Sequence, residues 1–214
     1  MQEERKKQGM KINNTQTLHM IFMGNPGTGK TMMARTVANV LANMGVIRTN
    51  KLVETDRSGL VAGYVGQTAI KTREVIERAA DGVLFIDEVY SLAQGGENDF
   101  GKEAQNFLNQ NAGLESGFPN IIEFEDYETE DLMAIAGQMY SEQGYMLHPE
   151  AEVLLRHIFE EGRKQPQFGN GRFVRNVFEK SLNAQALRLS SEEEMDAEDL
   201  MMITEQDIRE VISL

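Results

Sequence analysis

Two continuous apolar runs stand out in the first half of the chain: LHMIFM over residues 18–23 and VLFI over Val83–Ile86. Runs of this length, closed by turn residues, predict strands buried on both faces of a parallel sheet. Shorter runs at 51–55 and 121–124 predict two further strands. Between them, 3.6-residue patterns predict helices over Lys30–Asn43 and over 68–80. The first of these has Met33, Val37, Val40 and Leu41 available for a buried face. The pattern changes near Asp126. Beyond it the periodicity is mostly helical, over 130–141, Pro149–Gly162, Gly171–Leu189 and 204–214. Pro149 suits a first helical turn and Thr204 an N-cap. The acidic stretch 190–199 predicts a solvated loop. The expected architecture is an α/β domain with a parallel sheet over 1–125, followed by a small helical domain over 126–214.

Composition narrows the function classes. The chain has 214 residues, enough for one compact domain or one with a smaller appendage. Its formal net charge of −13 repels phosphate backbones and anionic lipid, which disfavours nucleic acid or a membrane as the main partner. Without cysteine there is no disulfide, thiolate catalysis or cysteine-ligated zinc, and the chain fits a reducing compartment. Residues 1–11 are polar and basic, unlike a signal peptide, and no window reaches the apolar length of a bilayer span. A soluble, cytoplasmic protein is expected.

The segment Gly24-Asn25-Pro26-Gly27-Thr28-Gly29-Lys30-Thr31 fits G-x-x-x-x-G-K-[ST] at every fixed position, after a predicted strand and at the opening of a predicted helix. Glycines let successive backbone N–H groups turn inward around a phosphate, and the helix N-terminus adds partial positive charge there. Lys30 can bridge β- and γ-phosphates, and the Thr31 hydroxyl can ligate Mg²⁺. ATP with Mg²⁺ is the expected ligand pair.

A second candidate group is Asp87-Glu88, where VLFI runs directly into two acids. Asp87 at a strand tip suits Mg²⁺ contact, and Glu88 is placed to polarise a water for attack on phosphorus. No N-K-x-D segment for reading guanine occurs in the chain. Gly63-Tyr64-Val65-Gly66 sets a large aromatic between glycines, either as an exposed paddle or with Tyr64 folded back onto the core.

Together these residues resemble the AAA+ ATPases, in the group that contains the stage V sporulation protein K ATPases and the CbbX-type rubisco activases. The stretches TLHMIFMGNPGTGKT, LVAGYVGQTAIKTREVI, GVLFIDEVYSLAQGGENDFGKEA and FGNGRFVRN are similar to that group nearly residue for residue. The resemblance implies a P-loop domain with a helical lid, a hexameric ring with ATP between subunits, and a polypeptide substrate. It implies that Tyr64 and Val65 form the central-pore loop and that Arg172 is the sensor-2 arginine at the γ-phosphate. Without the resemblance, Arg172 reads first as a solvated arginine near a helix start.

The chain departs from that group in three places. It is short ahead of its first strand, where the family has a helix and loop that help enclose adenine. No apolar run of strand length lies between Leu92 and Ile121, where the family has the central strand that carries sensor 1. Such a strand, burying about five apolar side chains, supplies roughly 8–15 kcal/mol, against a net domain stability of roughly 5–15 kcal/mol. Either the first and third strands pair directly or the sheet is weakened. Finally, Ser116-Gly117-Phe118 stands where the family reads Ser-Arg-Phe, and that arginine is the finger a neighbouring subunit inserts beside the γ-phosphate. Arg78 and Arg156 bracket a stretch without any other arginine. Two functions remain open: an ATPase that remodels a protein partner through a ring, or a nucleotide-binding relative with little hydrolysis that acts as a regulatory subunit.

Overall fold

The computed structural model describes residues 18–64, 67–93, 120–190 and 196–213. The chain divides into two units, one formed by residues up to Phe22 with Ala34–Ile122, the other by Met23–Met33 with Glu123–Leu214.

In the first unit, β1 (Met20–Met23) leads through a loop into α1 (Lys30–Asn43), followed by β2 (Leu52–Thr55), α2 (Arg57–Leu60), α3 (Thr68–Ala79), β3 (Val83–Ile86), a 3₁₀ turn (Val89–Ala93) and β4 (Asn120–Glu123). Strands β2 and β3 are parallel, with Leu52 opposite Val83 and Thr55 opposite Ile86, and α3 supplies the crossover. Their core is Val53, Leu60, Val75, Ala79 and Leu92. The short α2 lies outside the predicted elements and is fixed by polar groups. Asp56 caps it, accepting the Gly59 N–H at 3.0 Å and the Ser58 hydroxyl at 2.6 Å. The Ser58 bond, then the Gly59 bond, hold the Asp56 carboxyl below the usual carboxylate range.

On α1 the buried face is displaced from the expected one. Ala34 and Ala38 are buried, Val37 and Leu41 are half-buried, and Met33 and Val40 are exposed. Residues 34 and 38 lie one turn apart on a single stripe, and 33, 37 and 40 lie on the next; the alanine stripe faces inward.

The sheet departs more sharply from expectation. Among the described residues the strands of this unit form two separate pairs, β1 with β4 and β2 with β3, and no ladder joins β1 to β3. The Phe22 and Phe85 rings meet instead, with centroids 6.3 Å apart and planes inclined at 49°. Among the described residues each strand thus has one laddered neighbour, and the apolar runs are not fully enclosed. β1 and β3 are mostly half-buried, Met23 is 50% exposed and Ile121 62% exposed.

The second unit is helical: α4 (Thr129–Glu142), α5 (Pro149–Gly162), α6 (Gly171–Leu189), α7 (Ala197–Met201) and α8 (Glu205–Ser213), with a small parallel pair β5 (Met146–Leu147) and β6 (Met202–Ile203). Glu128 and Asp131 form a capping box at α4, and Pro149 occupies the first turn of α5. At α8, Thr204 sits at the predicted cap position with its roles reversed. Its N–H and hydroxyl both donate to Asp207 Oδ2 at 2.8 Å, and Arg188 Nε donates to Asp207 Oδ1 at 2.8 Å. The predicted acidic loop gives way at its end to α7, because Asp196 and Asp199 form a capping box and acids favour a helix N-terminus. Among the described residues, no helix is long and apolar enough to cross a membrane.

The core of this unit gathers Leu132, Tyr140, Leu155, Phe159, Val174 and Phe178, closed by Ile203 and Ile208. Tyr140 meets Phe178 edge-on at 4.8 Å and shares a 2.7 Å hydrogen bond with the Ser181 hydroxyl. Burial, opposed by the Ser181 bond and reinforced by the Asp207 charge, pushes the Tyr140 phenol up to about 12. The folded state therefore holds the phenolic proton more tightly than the unfolded chain, whose value is near 10. The stabilisation is complete below pH 10 and is lost as pH rises through 12, by about 2–3 kcal/mol. Denaturant titrations across pH 9–12 should show the natural chain losing stability more steeply than Tyr140→Phe. Parallel profiles would contradict the assignment.

Candidate functional site

The phosphate loop belongs to the second unit. Gly24, Gly27 and Gly29 have φ of 141°, 75° and 87°, a region that side chains rarely adopt. Thr28 is buried, and its hydroxyl donates to Asn25 O at 2.9 Å. Lys30 Nζ donates to the carbonyls of Gly24 (3.0 Å) and Asn25 (2.7 Å). Thr31, half-buried, stands in the first turn of α1. Among the described residues, the backbone N–H groups of Gly27, Thr28 and Gly29 donate to no protein group.

The loop's carbonyls, by contrast, are held from behind. Asn170 Nδ2 donates to Pro26 O at 3.3 Å, the Gly171 N–H to Gly27 O at 3.1 Å, and the Tyr127 hydroxyl to Thr28 O at 3.3 Å. Asn170 is fully buried, with φ 48° and ψ −125°. Its Nδ2 also donates to Asp126 Oδ1 at 2.7 Å and Phe168 O at 3.1 Å, while its Oδ1 accepts the Tyr127 N–H at 2.8 Å. Asp126 in turn accepts Asn25 Nδ2 on both oxygens, at 3.0 and 2.9 Å. Packing is tight enough that a Cβ on Gly27 would lie 2.1 Å from Gly169 O.

The acidic pair belongs to the first unit. Asp87 N–H donates to Thr55 O at 2.8 Å, extending the β2–β3 ladder by one bond. The half-buried Asp87 carboxylate accepts the Glu88 N–H at 3.0 Å. Glu88 is exposed and has φ 49°, a conformation that costs a non-glycine residue on the order of 1–3 kcal/mol. Tyr64 is 74% exposed, not folded onto the core, and Val65 lies outside the described residues, as does Gly117. Arg172 is exposed at the start of α6, and among the described residues its guanidinium has no partner. Among those same residues, no three His, Asp or Glu side chains gather as a metal cage; an ion held largely by phosphate oxygens and water needs none.

Asp126, Tyr127 and Asn170 were not singled out from the sequence. Asn170 stands inside FGNGRFVRN, but a buried asparagine at positive φ is visible only in three dimensions.

Residues 20–122 match the family model described as ATPase family associated with various cellular activities (AAA), and residues 128–213 match the AAA lid domain. Stage V sporulation protein K of Bacillus subtilis (strain 168) is 43% identical over 235 residues, covering 96% of this chain and 73% of that protein. The chain belongs to the AAA ATPase family. CbbX of Cereibacter sphaeroides is 40% identical over 238 residues (98% of this chain, 77% of that protein). The chloroplastic ribulose bisphosphate carboxylase/oxygenase activase of Cyanidioschyzon merolae (strain NIES-3377 / 10D) is 36% identical over 233 residues (95% and 79%). Each of these alignments is longer than the 214-residue chain, so these AAA relatives carry residues that it lacks. Among solved structures, the FIGL-1 AAA domain superposes with a TM-score of 0.64 at 18% identity, over 98% of this chain and 74% of that one, which shows the shared AAA fold.

The glycine geometry yields a paired test. Gly45 has φ 69° and open space around it, so Gly45→Ala should cost only the left-handed conformation, about 1 kcal/mol. Gly27→Ala adds a backbone collision with Gly169 and should part the loop from Gly171. Hydrogen exchange should then show the Gly171 amide exchanging at least about tenfold faster in Gly27→Ala and unchanged in Gly45→Ala.

Proposed function

We propose that this AAA chain binds ATP with Mg²⁺ on the phosphate loop and couples hydrolysis to remodelling of a polypeptide through a ring of copies. The observation that carries the reading is the loop itself. Three glycines sit at positive φ, and among the described residues three consecutive N–H groups have no protein partner, on a backbone fixed from the other side. Gly24, Asn25, Pro26, Gly27, Thr28 and Gly29 form the phosphate cradle. Lys30 exchanges its loop carbonyls for phosphate oxygens, and Arg172, exposed at the start of α6, reaches for the γ-phosphate. Thr31 and Asp87 are the residues that would hold Mg²⁺, which when bound offsets the charge on the phosphates. Glu88 polarises the attacking water; support for Asp87 and Glu88 comes from the sequence motif and the geometry within their own unit. Tyr64 and Val65 grip the polypeptide, and the exposure of Tyr64 fits that role. The division at 125/126 separates a nucleotide-binding domain from its lid.

A second reading, a nucleotide-binding partner with little hydrolysis of its own, is favoured by Gly117 in place of the finger arginine and by two strand pairs that are not laddered together among the described residues. Turnover of ATP by the purified chain decides between them. The remodelling reading requires turnover that falls at least about a hundredfold in Glu88→Gln; equal background rates would leave the second reading standing. Under either reading, Lys30→Ala should weaken an ATP analogue at least about tenfold, since it removes charge-assisted bonds. Unchanged affinity would sink the phosphate-loop assignment.

A further inference from the structure

A planar trans peptide points its C=O and its N–H in opposite directions. Fixing the carbonyl of one residue therefore aims the N–H of the next residue the other way. Here the carbonyls of Pro26, Gly27 and Thr28 are held by Asn170 Nδ2, the Gly171 N–H and the Tyr127 hydroxyl. The N–H groups thereby turned outward are those of Gly27, Thr28 and Gly29, which among the described residues have no protein partner. All three donors come from two short segments, 126–127 and 170–171, and both pass through the same node. Asp126 Oδ1 accepts from Asn170 at 2.7 Å and from Asn25 at 3.0 Å, which ties the lid segment and the loop to one oxygen.

We propose that Asp126 and Asn170, with Tyr127, are positioning residues that aim the phosphate-binding N–H groups from behind, acting through the loop carbonyls and through Asn25. The inference rests on the nucleotide reading above. It assigns to Asp126 a job that opposes its charge. A carboxylate near a phosphate site repels the ligand, so Asp126 is of use there only as an acceptor shared by two amides. Removing the acceptor and removing the charge therefore have different consequences. Asp126→Ala removes both. Asp126→Asn keeps an oxygen able to take the Oδ1 bonds from Asn170 and Asn25, loses only the second Asn25 bond on Oδ2, and discards the charge.

The test is ADP affinity by calorimetry, with the Asp126 side chain exposed and outside the core so that the variants fold. Asp126→Ala should raise the dissociation constant about tenfold, as expected for a bond to a charged acceptor. Asp126→Asn should restore binding to within about threefold of the natural chain. Asn25→Ala combined with Asp126→Ala should be no weaker than either alone, because both remove one link. Tyr127→Phe, which frees the Thr28 carbonyl, should weaken ADP in the same direction. A loss confined to thermal stability, with ADP affinity unchanged in Asp126→Ala, would overturn the proposal. So would tighter binding in both Asp126 variants, which would mark the carboxylate as a mere repulsive charge. Failure of the natural chain to bind ADP would overturn the nucleotide reading and this inference with it, whereas binding by the natural chain and equal binding by Asp126→Ala would overturn this inference alone.

Discussion

A carboxamide removed from water must find partners for its oxygen and both of its hydrogens, because each group left unsatisfied costs on the order of 1–3 kcal/mol. Asn170, fully buried, meets that demand with bonds to Pro26, Asp126, Phe168 and Tyr127. It does so from a backbone conformation that is itself unfavourable, so the four bonds must hold together or release together. The loop's conformation, the start of α6 and the segment entering α4 are thereby linked through one side chain. This is why the phosphate loop groups with the helical unit, even though the strand before it and most of the helix after it group with the other.

Much of the fold was legible in the residues. The run VLFI became β3 at the expected bounds, and Lys30–Asn43, Pro149–Gly162 and Gly171–Leu189 became helices over the same residues. In these segments the local period and length point to the same element type that the fold adopts. The elements that escaped, α2, α7 and the β5–β6 pair, are five residues long or shorter and held by side-chain caps or ladder bonds, so periodicity has too few residues to register. The buried stripe of α1 differs from the expected one because alanine carries little hydrophobic signal, yet lets a helix bury a face. At the site, the motif identified the loop, whereas its support came from Asp126 and Asn170, 101 and 144 residues from their partners Asn25 and Pro26. No local pattern carries that information.

The strand pairs tell a related story. The sequence lacks an apolar run between Leu92 and Ile121, and among the described residues the two pairs are not laddered to each other. Ring contact between Phe22 and Phe85 joins the strands at a single pair of side chains, whereas a ladder of backbone bonds fixes register along their length. The helical unit does not share this weakness. Its core is continuous across four of its helices, and the buried Asp207, paired with half-buried Arg188, has its remaining acceptor sites filled by Thr204.

Asn170 is followed directly by Gly171, the dipeptide in which ring closure of the glycine nitrogen onto the side-chain carbonyl carbon, with loss of ammonia, is least hindered. In this fold the Gly171 N–H is donated to Gly27, and the Asn170 amide is locked away from water. The same bonds that shape the loop thus shield the chain from spontaneous deamidation at its most sensitive junction. Were the amide to become a carboxylate there, it would face Asp126 across a contact now made by an N–H donor. Deamidation at Asn170 therefore waits on the opening of this small cluster, which makes the cluster a clock as well as a brace.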